Sequence, residues 1–567
     1  MARATRPLLA AGVALALADA SVVTLALPPL LRELDTTVEG VAAVIGVYTL
    51  VLAAALIPAE MLRRRVGTAA LGVAGFALFA AAGIGCGIAS DLPVLLVARA
   101  AQALGAAAAL VAGFDAIGAG RAHPSRLWIA ASVFGVAVGP ALGGAITQLL
   151  DWRAIFLAQA PIAAAAAIAG VGASVGSRTR RDAGEAASAG DTPRPPGRLD
   201  PAPAIALALV SAALTGVLFL LVLQLVAGWS LEPLAAAAAV SILPLAAIAG
   251  ARVTQADDRT RAAAGALLIG AGVLMLASVP GASVAWIVLP QILAGVGMGL
   301  SLQALAGGLL PERTAAEAAR LLAVRHWGIT LALLLLAPVT AAALDRAVDD
   351  ARERSAAAVL DARLDPRAKL DLVGPVTGAI DPEDPRGGLH DALDETRGKF
   401  ADDSAEDAQA FDDMADRLDG TLVRAVNDAF RPAFLITGAL ALIAAALLAW
   451  PVLAGARGAI PQQATAMALA AAIALPIGQA LIAPAAAPAR GEIKNPCAER
   501  DLPSTGGIGG FLQDAGLIAL DRAACKFGSS REDLALAIAD EDAARAYERK
   551  HGVDPRSATD LLGGVLP

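Results

Sequence analysis

Apolar stretches of about 20 residues recur along this chain and constrain its fold more than any other feature. Each stretch is long enough to cross the hydrocarbon core of a bilayer as an α-helix. The composition agrees, because 57% of the 567 residues are hydrophobic and the mean hydropathy is +0.65, more than a soluble protein carries. The sequence predicts an all-α polytopic membrane protein. The thirteen predicted spans are 8–28, 40–62, 68–90, 92–113, 126–150, 155–175, 203–227, 233–253, 262–279, 284–310, 321–344, 433–455 and 464–482.

The first span is predicted to remain in the mature protein. A basic start followed by an apolar run is typical of a signal peptide, but this run continues to Pro28 and contains Asp19. Eighteen arginines lie in the connections on the same side as the amino terminus, whereas the short connections opposite hold Arg32 and Arg153. The positive-inside rule therefore predicts a multi-pass protein of the cell membrane with a cytoplasmic amino terminus.

A polar, proline-rich segment at 177–202 divides the chain. Six spans precede it and six follow, before one extra span. This arrangement predicts an amino-terminal six-helix bundle at 1–176, joined by a cytoplasmic linker to a carboxy-terminal bundle. The first five helices of that second bundle are predicted at 203–344 and the twelfth helix at 432–456. A thirteenth helix at 463–482 is an addition.

The segment 345–431 is predicted to be an acidic extracytoplasmic loop. Residues 345–430 carry 22 Asp and Glu against 11 Arg and Lys, a net charge of −11. Alanine, leucine and paired charges favour short solvated helices over disorder. A solvated surface is favoured over a vestibule that attracts cations.

The odd number of helices places the tail, 483–567, outside the membrane as well. It contains Cys497 and Cys525, which we expect to form a disulfide in an oxidising exterior. In the chain-entropy model such a loop contributes roughly 3 kcal/mol. The alternative is two unrelated thiols in a cytosolic tail, which requires twelve or fourteen crossings. Cys86, inside the third span, is expected to be an inert apolar residue.

Short patterns of polar and small residues interrupt the apolar spans. The fourth span holds Arg99 and Gln102, and the first holds Asp19. With Tyr48-Thr-Leu50 in the second span and Asp151-Trp152-Arg153 before the sixth, these patterns resemble the major facilitator superfamily, in particular the proton-coupled drug-efflux antiporters of its fourteen-helix branch. The antiporter motif of the fifth helix corresponds to Gly135, Gly139, Pro140, Gly143 and Gly144.

The resemblance implies that Asp19 and Arg99 form a proton-coupling pair, with Gln102 on the same helix face as Arg99. Asp19 lies eleven residues into its span, about 16 Å along the helix and near the membrane midplane. A charge there costs roughly 2.5 to 3.5 kcal/mol, so it marks a transport pathway or an ion pair. The alternative is a static structural pair, or an arginine that reaches the membrane surface.

The chain departs from the family pattern between its second and third helices. The usual glycine-then-aspartate signature is absent from 58–67, and Glu60 is the candidate replacement for the aspartate. In the apolar spans, polar groups either line a central cavity or form hydrogen bonds that hold helices together. Arg325 and His326 begin the eleventh span, where anchoring at the membrane interface is favoured. The cavity candidates are Tyr48, Gln224, Gln291 and Gln303.

These features predict a secondary transporter, and the resemblance implies a proton-coupled antiporter that exports an amphipathic small molecule, drug or lipid-like metabolite. The sequence contains no phosphate-binding loop, metal-ligand set or nucleophile elbow, so we expect no enzymatic turnover, cofactor or metal site. The expected partners are the substrate, protons and membrane lipid, and not nucleic acid. The alternative is a non-transporting scaffold that displays 345–431 and 483–567 to an extracytoplasmic protein.

Overall fold

Helices account for the regular structure throughout the described part of the chain. The computed structural model describes residues 2–117, 139–182, 200–309, 314–365, 385–400, 405–453, 462–505 and 507–557, together with 369, 372–374, 376 and 378. The membrane-domain helices are α1 (Ala2–Thr24), α2 (Leu27–Glu33), α3 (Val38–Val66), α4 (Thr68–Gly87), α5 (Leu92–Ala116), α6 (Gly139–Leu149), α7 (Trp152–Asp182), α8 (Pro201–Leu223), α9 (Pro233–Val240), α10 (Ile242–Ala251), α11 (Asp258–Leu276) and α12 (Ala285–Leu309). The later helices are α13 (Ala315–Leu360), α14 (Pro385–Phe400), α15 (Ala405–Leu453), α16 (Gln462–Ala486), α17 (Gly507–Phe527), α18 (Arg531–Ala539) and α19 (Glu541–His551).

Eleven helices in the described residues are long and apolar enough to cross a membrane, which confirms a multi-pass, all-α membrane protein. Two further predicted spans are described in part. The fifth is described from Gly139 onward as α6, and the thirteenth lies in α16, which is apolar over Ala470–Ala486. The count of thirteen stays a prediction.

Polar residues at helix starts explain several of the observed boundaries. Asp91 accepts a hydrogen bond from the backbone N–H of Val94 at 2.9 Å and caps α5. Thr314 and Glu317 form a reciprocal capping box at the start of α13. Such caps satisfy amide groups that the helix itself leaves unpaired.

The membrane helices pack in two groups, one before and one after the predicted linker. In the first group, α4 packs against α5 and α7, and α1 packs against α6 and α7. In the second, α8 packs against α13 and α15, and α11 against α12 and α15. The groups meet where α3 packs against α13 and where α6 packs against α9. The domain boundaries remain a proposal, and residues 183–199 of the predicted linker lie outside the described residues.

The acidic segment is built by extension of two membrane helices, with one separate helix, α14, between them. α13 continues without a break for 16 residues beyond the predicted end of its span at 344, about 24 Å of helix. α15 likewise begins at Ala405 and continues into the membrane. Alanine-rich sequence permits the extension, and apolar side chains from α13, α14 and α15 form a separate core there. Its members include Val348, Val359, Leu389, Leu393, Phe411, Met414 and Leu418.

The tail folds against this extramembrane core. The predicted disulfide between Cys497 and Cys525 is present, and its Cα atoms are 5.0 Å apart. Arg531 is 1% exposed, and its guanidinium lies 2.6 Å from the carboxylate of Asp361, at the end of α13, and 2.9 Å from Glu532. The tail is therefore joined to the end of α13 by a partly buried ion pair as well as by packing.

Candidate functional site

A buried ion pair joins α1 to α5 inside the first group of helices. Nη1 of Arg99 lies 2.6 Å from Oδ2 of Asp19, and both side chains are 0% exposed. Since an isolated charge in an apolar interior is costly, the two groups stabilise each other only while both remain charged. The carboxylate of Asp19 therefore faces protein and not lipid.

Polar and aromatic groups surround the Arg99 guanidinium. Nη1 donates to Oε1 of Gln102 at 2.7 Å, and Nε donates to the carbonyl of Val44 at 3.1 Å. The ring of Tyr48 lies 4.3 Å below the guanidinium carbon, and that of Phe156 lies 5.5 Å away. Cation–π contacts of this kind stabilise a desolvated arginine. Tyr48 thus lines the ion-pair site.

The amide side chains extend this network from α1 and α5 to α7. Nε2 of Gln102 donates to Oδ1 of Asp19 and to Oε1 of Gln159, both at 3.5 Å. Gln159 is 4% exposed and was not anticipated from the sequence. Nη2 of Arg99 and Nε2 of Gln159 have no hydrogen-bond partner in the described part of the structure. The network therefore retains donors that can form a bond if the pair rearranges.

The glycines of α6 let it fit between α1 and α9. A Cβ on Gly143 would overlap the carbonyl oxygen of Val22 in α1. A Cβ on Gly144 would lie 2.8 Å from the carbonyl oxygen of Pro233 in α9 and would overlap the side chain of Ala237. Gly139 lies equally close to α1, at the Ser21 side chain, and Pro140 is buried beside it. Gly135 lies outside the described residues. α6 thus contacts both groups of helices.

Glu60 occupies the position expected for the missing aspartate and is paired. Nε of Arg63 donates to Oε2 of Glu60 at 2.6 Å, and Nε of Arg64 donates to Oε1 at 3.1 Å. Arg63 also lies 2.8 Å from Oδ2 of Asp115, at the end of α5. This cluster links the ends of α3 and α5 on the side predicted to be cytoplasmic.

Threonine side chains join the two groups of helices along α3 and α13. The hydroxyls of Thr49 and Thr330 are 3.0 Å apart and buried. One turn earlier on α13, Nδ1 of His326 lies 2.7 Å from the carbonyl oxygen of Leu322, and the ring is buried. His326 is therefore satisfied by its own helix.

Arg325 lies on the opposite face of α13 from the lipid. The side chains of Trp327, Leu331 and Leu334 are 50%, 55% and 69% exposed and mark the outward face of the helix. At about 100° per residue, Arg325 points between about 120° and 180° away from all three. Arg325 is half-buried and, within the described residues, makes no ion pair or hydrogen bond. This inward placement differs from the interfacial anchoring that the sequence favoured.

Polar groups of the second group of helices lie in several places. Gln224 opens a short π-helix, Gln224–Gly228, and Nε2 donates to Oδ1 of Asn427 at 2.9 Å. Gln291 is buried, and neither amide atom has a partner among the described residues. Gln303 is exposed on the same face of α12 as Leu289 and Ile292, away from the interior. The predicted cavity residues are therefore not brought together in one site.

Comparison with known proteins agrees with this architecture. The sequence model of the Major Facilitator Superfamily matches residues 9–344. The multidrug resistance protein Stp of Mycobacterium tuberculosis is 33% identical over 152 residues, 26% of this chain and 28% of that protein. The methylenomycin A resistance protein of Bacillus subtilis is 32% identical over 166 residues, 28% of this chain and 36% of that protein. The matches thus span about a third of the length of these curated relatives.

A solved structure is similar in fold. The crystal structure of a bacterial homolog of the human lysosomal transporter Spinster, in an inward-facing and occupied conformation, aligns with a TM-score of 0.50 at 16% identity. The alignment covers 79% of this chain and 96% of that chain. At this identity the likeness shows the fold alone. None of these matches favours the alternative of a non-transporting scaffold.

Proposed function

The chain belongs to the major facilitator superfamily, and from that premise we propose that it is a secondary active transporter that exports an amphipathic small molecule in exchange for protons. The proposal rests on the fully buried ion pair of Asp19 and Arg99. The similar multidrug and methylenomycin A resistance proteins support export of a small molecule. The proposal assigns no enzymatic turnover to the chain.

Proton exchange follows from the balance of charge in the pair. When Asp19 is ionised, its carboxylate holds the Arg99 guanidinium, and α1 is held against α5. When Asp19 takes up a proton, the ionic attraction is lost, while a buried guanidinium without a counter-charge is costly. Gln102 and Gln159 are positioned to take over the hydrogen bonds. Protonation therefore changes which contacts hold α1.

The motion of α1 has a direct route to the boundary between the two groups of helices. Three residues beyond Asp19 on the same helix, Val22 lies against Gly143 of α6 without room for a Cβ. α6 in turn lies against Pro233 and Ala237 of α9. Since close-packed contacts transmit displacement, a shift of α1 on protonation moves α6 against α9 and favours alternating access.

The proposed orientation places the amino terminus in the cytoplasm and the disulfide-bonded tail outside. The arginines of the predicted inner connections support this orientation. The disulfide supports it independently, because such bonds persist in oxidising compartments. The described parts of 345–431 and 483–567 then lie together outside the membrane, beside the second bundle.

The test is Asp19→Asn in everted membrane vesicles energised by a proton gradient. Two fluorescent dyes of the same shape serve as probes. Fluorescein methyl ester is an anion, and the corresponding rhodamine methyl ester, which carries two amino groups on its xanthylium ring, is a cation. We expect the wild type to accumulate at least one dye and Asp19→Asn to lose gradient-driven accumulation. Glu39→Gln, which removes an exposed carboxylate at the start of α3, is the matched control. Undiminished transport by Asp19→Asn would refute proton coupling through this residue.

A further inference from the structure

Arg325 is placed at the boundary between the two groups of helices. On its face of α13, Ala318 lies two turns before it and packs with Phe114 of α5. Ile329 lies one turn after it and is buried in the main core. On one side of this face, Gly328 touches the backbone of Ala208 in α8, and the other side packs against α3 through Thr330. Arg325 therefore points between α3 and α8.

The partial exposure of Arg325 lies on the inward side of α13. The lipid-facing residues of α13 lie on the other side of the helix, and on the neighbouring turns Leu322 and Ile329 are buried while Leu321 is partly buried. A guanidinium keeps its charge at any physiological pH, so desolvation cannot be relieved by loss of a proton. A half-buried guanidinium of this kind needs water or an anion beside it.

Two other arginines within the membrane helices have a carboxylate partner in the described residues. Arg99 is paired with Asp19, and Arg63 is paired with Glu60 and Asp115. Arg325 makes no such pair with any residue that the structure describes. Its position, charge and missing counter-ion together indicate a site for an anion that the protein itself does not supply.

We propose that Arg325 binds the anionic group of the transported solute, so that the substrate class is amphipathic organic anions bearing a carboxylate, sulfonate or phosphate. This inference rests on the proposed function and specifies its substrate. A planar guanidinium binds such groups through two parallel hydrogen bonds. Leu321 and Ile329, at helical spacing on either side of Arg325, supply apolar surface for the rest of the molecule. A lipid headgroup is disfavoured because Arg325 faces away from the lipid.

Equilibrium binding of the two dyes to the purified full-length protein tests the proposal without a gradient. The protein is placed in phosphatidylcholine nanodiscs, and dye binding is followed by fluorescence polarisation. We expect the wild type to bind the fluorescein ester more tightly than the rhodamine ester. Arg325→Gln is expected to raise the Kd of the anion by about tenfold and to leave that of the cation unchanged or lowered. Arg325→Lys is expected to retain part of the preference.

Arg320→Gln is the matched control, because it removes a positive charge two turns before the exposed Trp327, on that side of the same helix. It is expected to keep the preference for the anion. Equal affinities in the wild type, absence of anion binding, or a preference that survives Arg325→Gln would overturn the proposal. Competition by added phosphatidylglycerol would assign the site to a lipid headgroup and would also overturn it. Loss of proton coupling in Asp19→Asn does not enter this measurement, so failure of the two proposals can be told apart.

Discussion

Each half of the membrane domain contains an arginine within its helices, but the two arginines differ in burial and in ion pairing. In the amino-terminal half, Arg99 is sealed, paired with Asp19 and covered by Tyr48. In the carboxy-terminal half, Arg325 is half-buried on the inward face of α13 without a carboxylate in the described residues. The difference separates two tasks. A charge whose partner is in the protein can store or release a proton, whereas a charge without one is available to a solute.

Replacing Arg99 tests the first half of this comparison and has the largest expected effect. Arg99→Gln leaves the Asp19 carboxylate buried without a cation, and breaking a buried pair costs about 3–5 kcal/mol. We expect the midpoint of thermal unfolding in detergent, followed by intrinsic fluorescence, to fall clearly. The double variant Asp19→Asn, Arg99→Gln removes both charges and is expected to recover much of the loss without recovering transport.

Arg325→Gln supplies the contrast in the other half. It removes the same charge but leaves no carboxylate uncompensated among the described residues, so the unfolding midpoint is expected to stay near that of the wild type. Equal destabilisation by Arg99→Gln and Arg325→Gln would show that the two arginines do not differ in the way proposed.

The contact between the halves can be tested at Gly144, with a smaller effect on stability than on transport. Gly144→Val places a side chain against Pro233 and Ala237, and overpacking of this kind costs about 1–3 kcal/mol. We expect insertion into the membrane to persist while dye accumulation in everted vesicles is largely lost, because α6 can no longer approach α9.

Gly46→Val controls for the substitution itself. It lies in α3, and a Cβ at this position meets no atom within 4 Å. The control is expected to transport as the wild type does. Normal transport by Gly144→Val would mean that the contact between α6 and α9 does not change during the cycle.

The sequence predicted the surroundings of Arg99, which is ion-paired, much better than those of Arg325, which is partly exposed. Asp19, Arg99 and Gln102 could be placed together because they match a family motif, and an isolated charge at the midplane demands a partner. Gln159 was missed because the rotation of α7 about its axis is not fixed by an alanine-rich sequence, whose faces are all alike. Arg325 was assigned to the interface for a related reason. The face of α13 that meets lipid is marked by the exposure of Trp327, Leu331 and Leu334, which the sequence alone does not give.

For the extramembrane domain, the sequence predicted the acidic charge and the helical content but not how the helices are connected to the membrane spans. For 345–431 the sequence favours short solvated helices, because charged residues end an apolar span. They do not end a helix, and α13 continues through them as far as Leu360. The disulfide was predicted correctly, since two cysteines in a tail predicted to lie on the oxidising side of a membrane have few other partners. The arrangement of the helices in this domain depends on tertiary packing, such as that of Val359 and Phe411 in its core.

Replacing Asp521 has the smallest expected effect. It tests whether burial or ion pairing determines the protonation state of a carboxyl group when both act on it. The Asp521 side chain is 13% exposed, and Oδ1 lies 3.5 Å from Nε of Arg500, which also binds Glu532. Burial raises the pKa of the Asp521 carboxyl above its ordinary value of 3.8, and Arg531 and Arg500 offset part of the rise. The folded tail therefore holds this proton to a higher pH than the unfolded chain does.

The stability that this proton contributes is complete below pH 3.8 and is lost as the pH rises through the folded pKa. Asp521→Asn carries a group that does not ionise. We expect hydrogen exchange in peptides of α17 and α18 to match the wild type near pH 4 and to be slower than the wild type near pH 7. Faster exchange in the variant near pH 7 would show that the attraction of Arg500 outweighs burial. Sharing the Arg500 cation between Asp521 and Glu532 would then suffice to keep both carboxylates charged, whereas Arg99 serves one carboxylate and Arg325 serves none among the described residues.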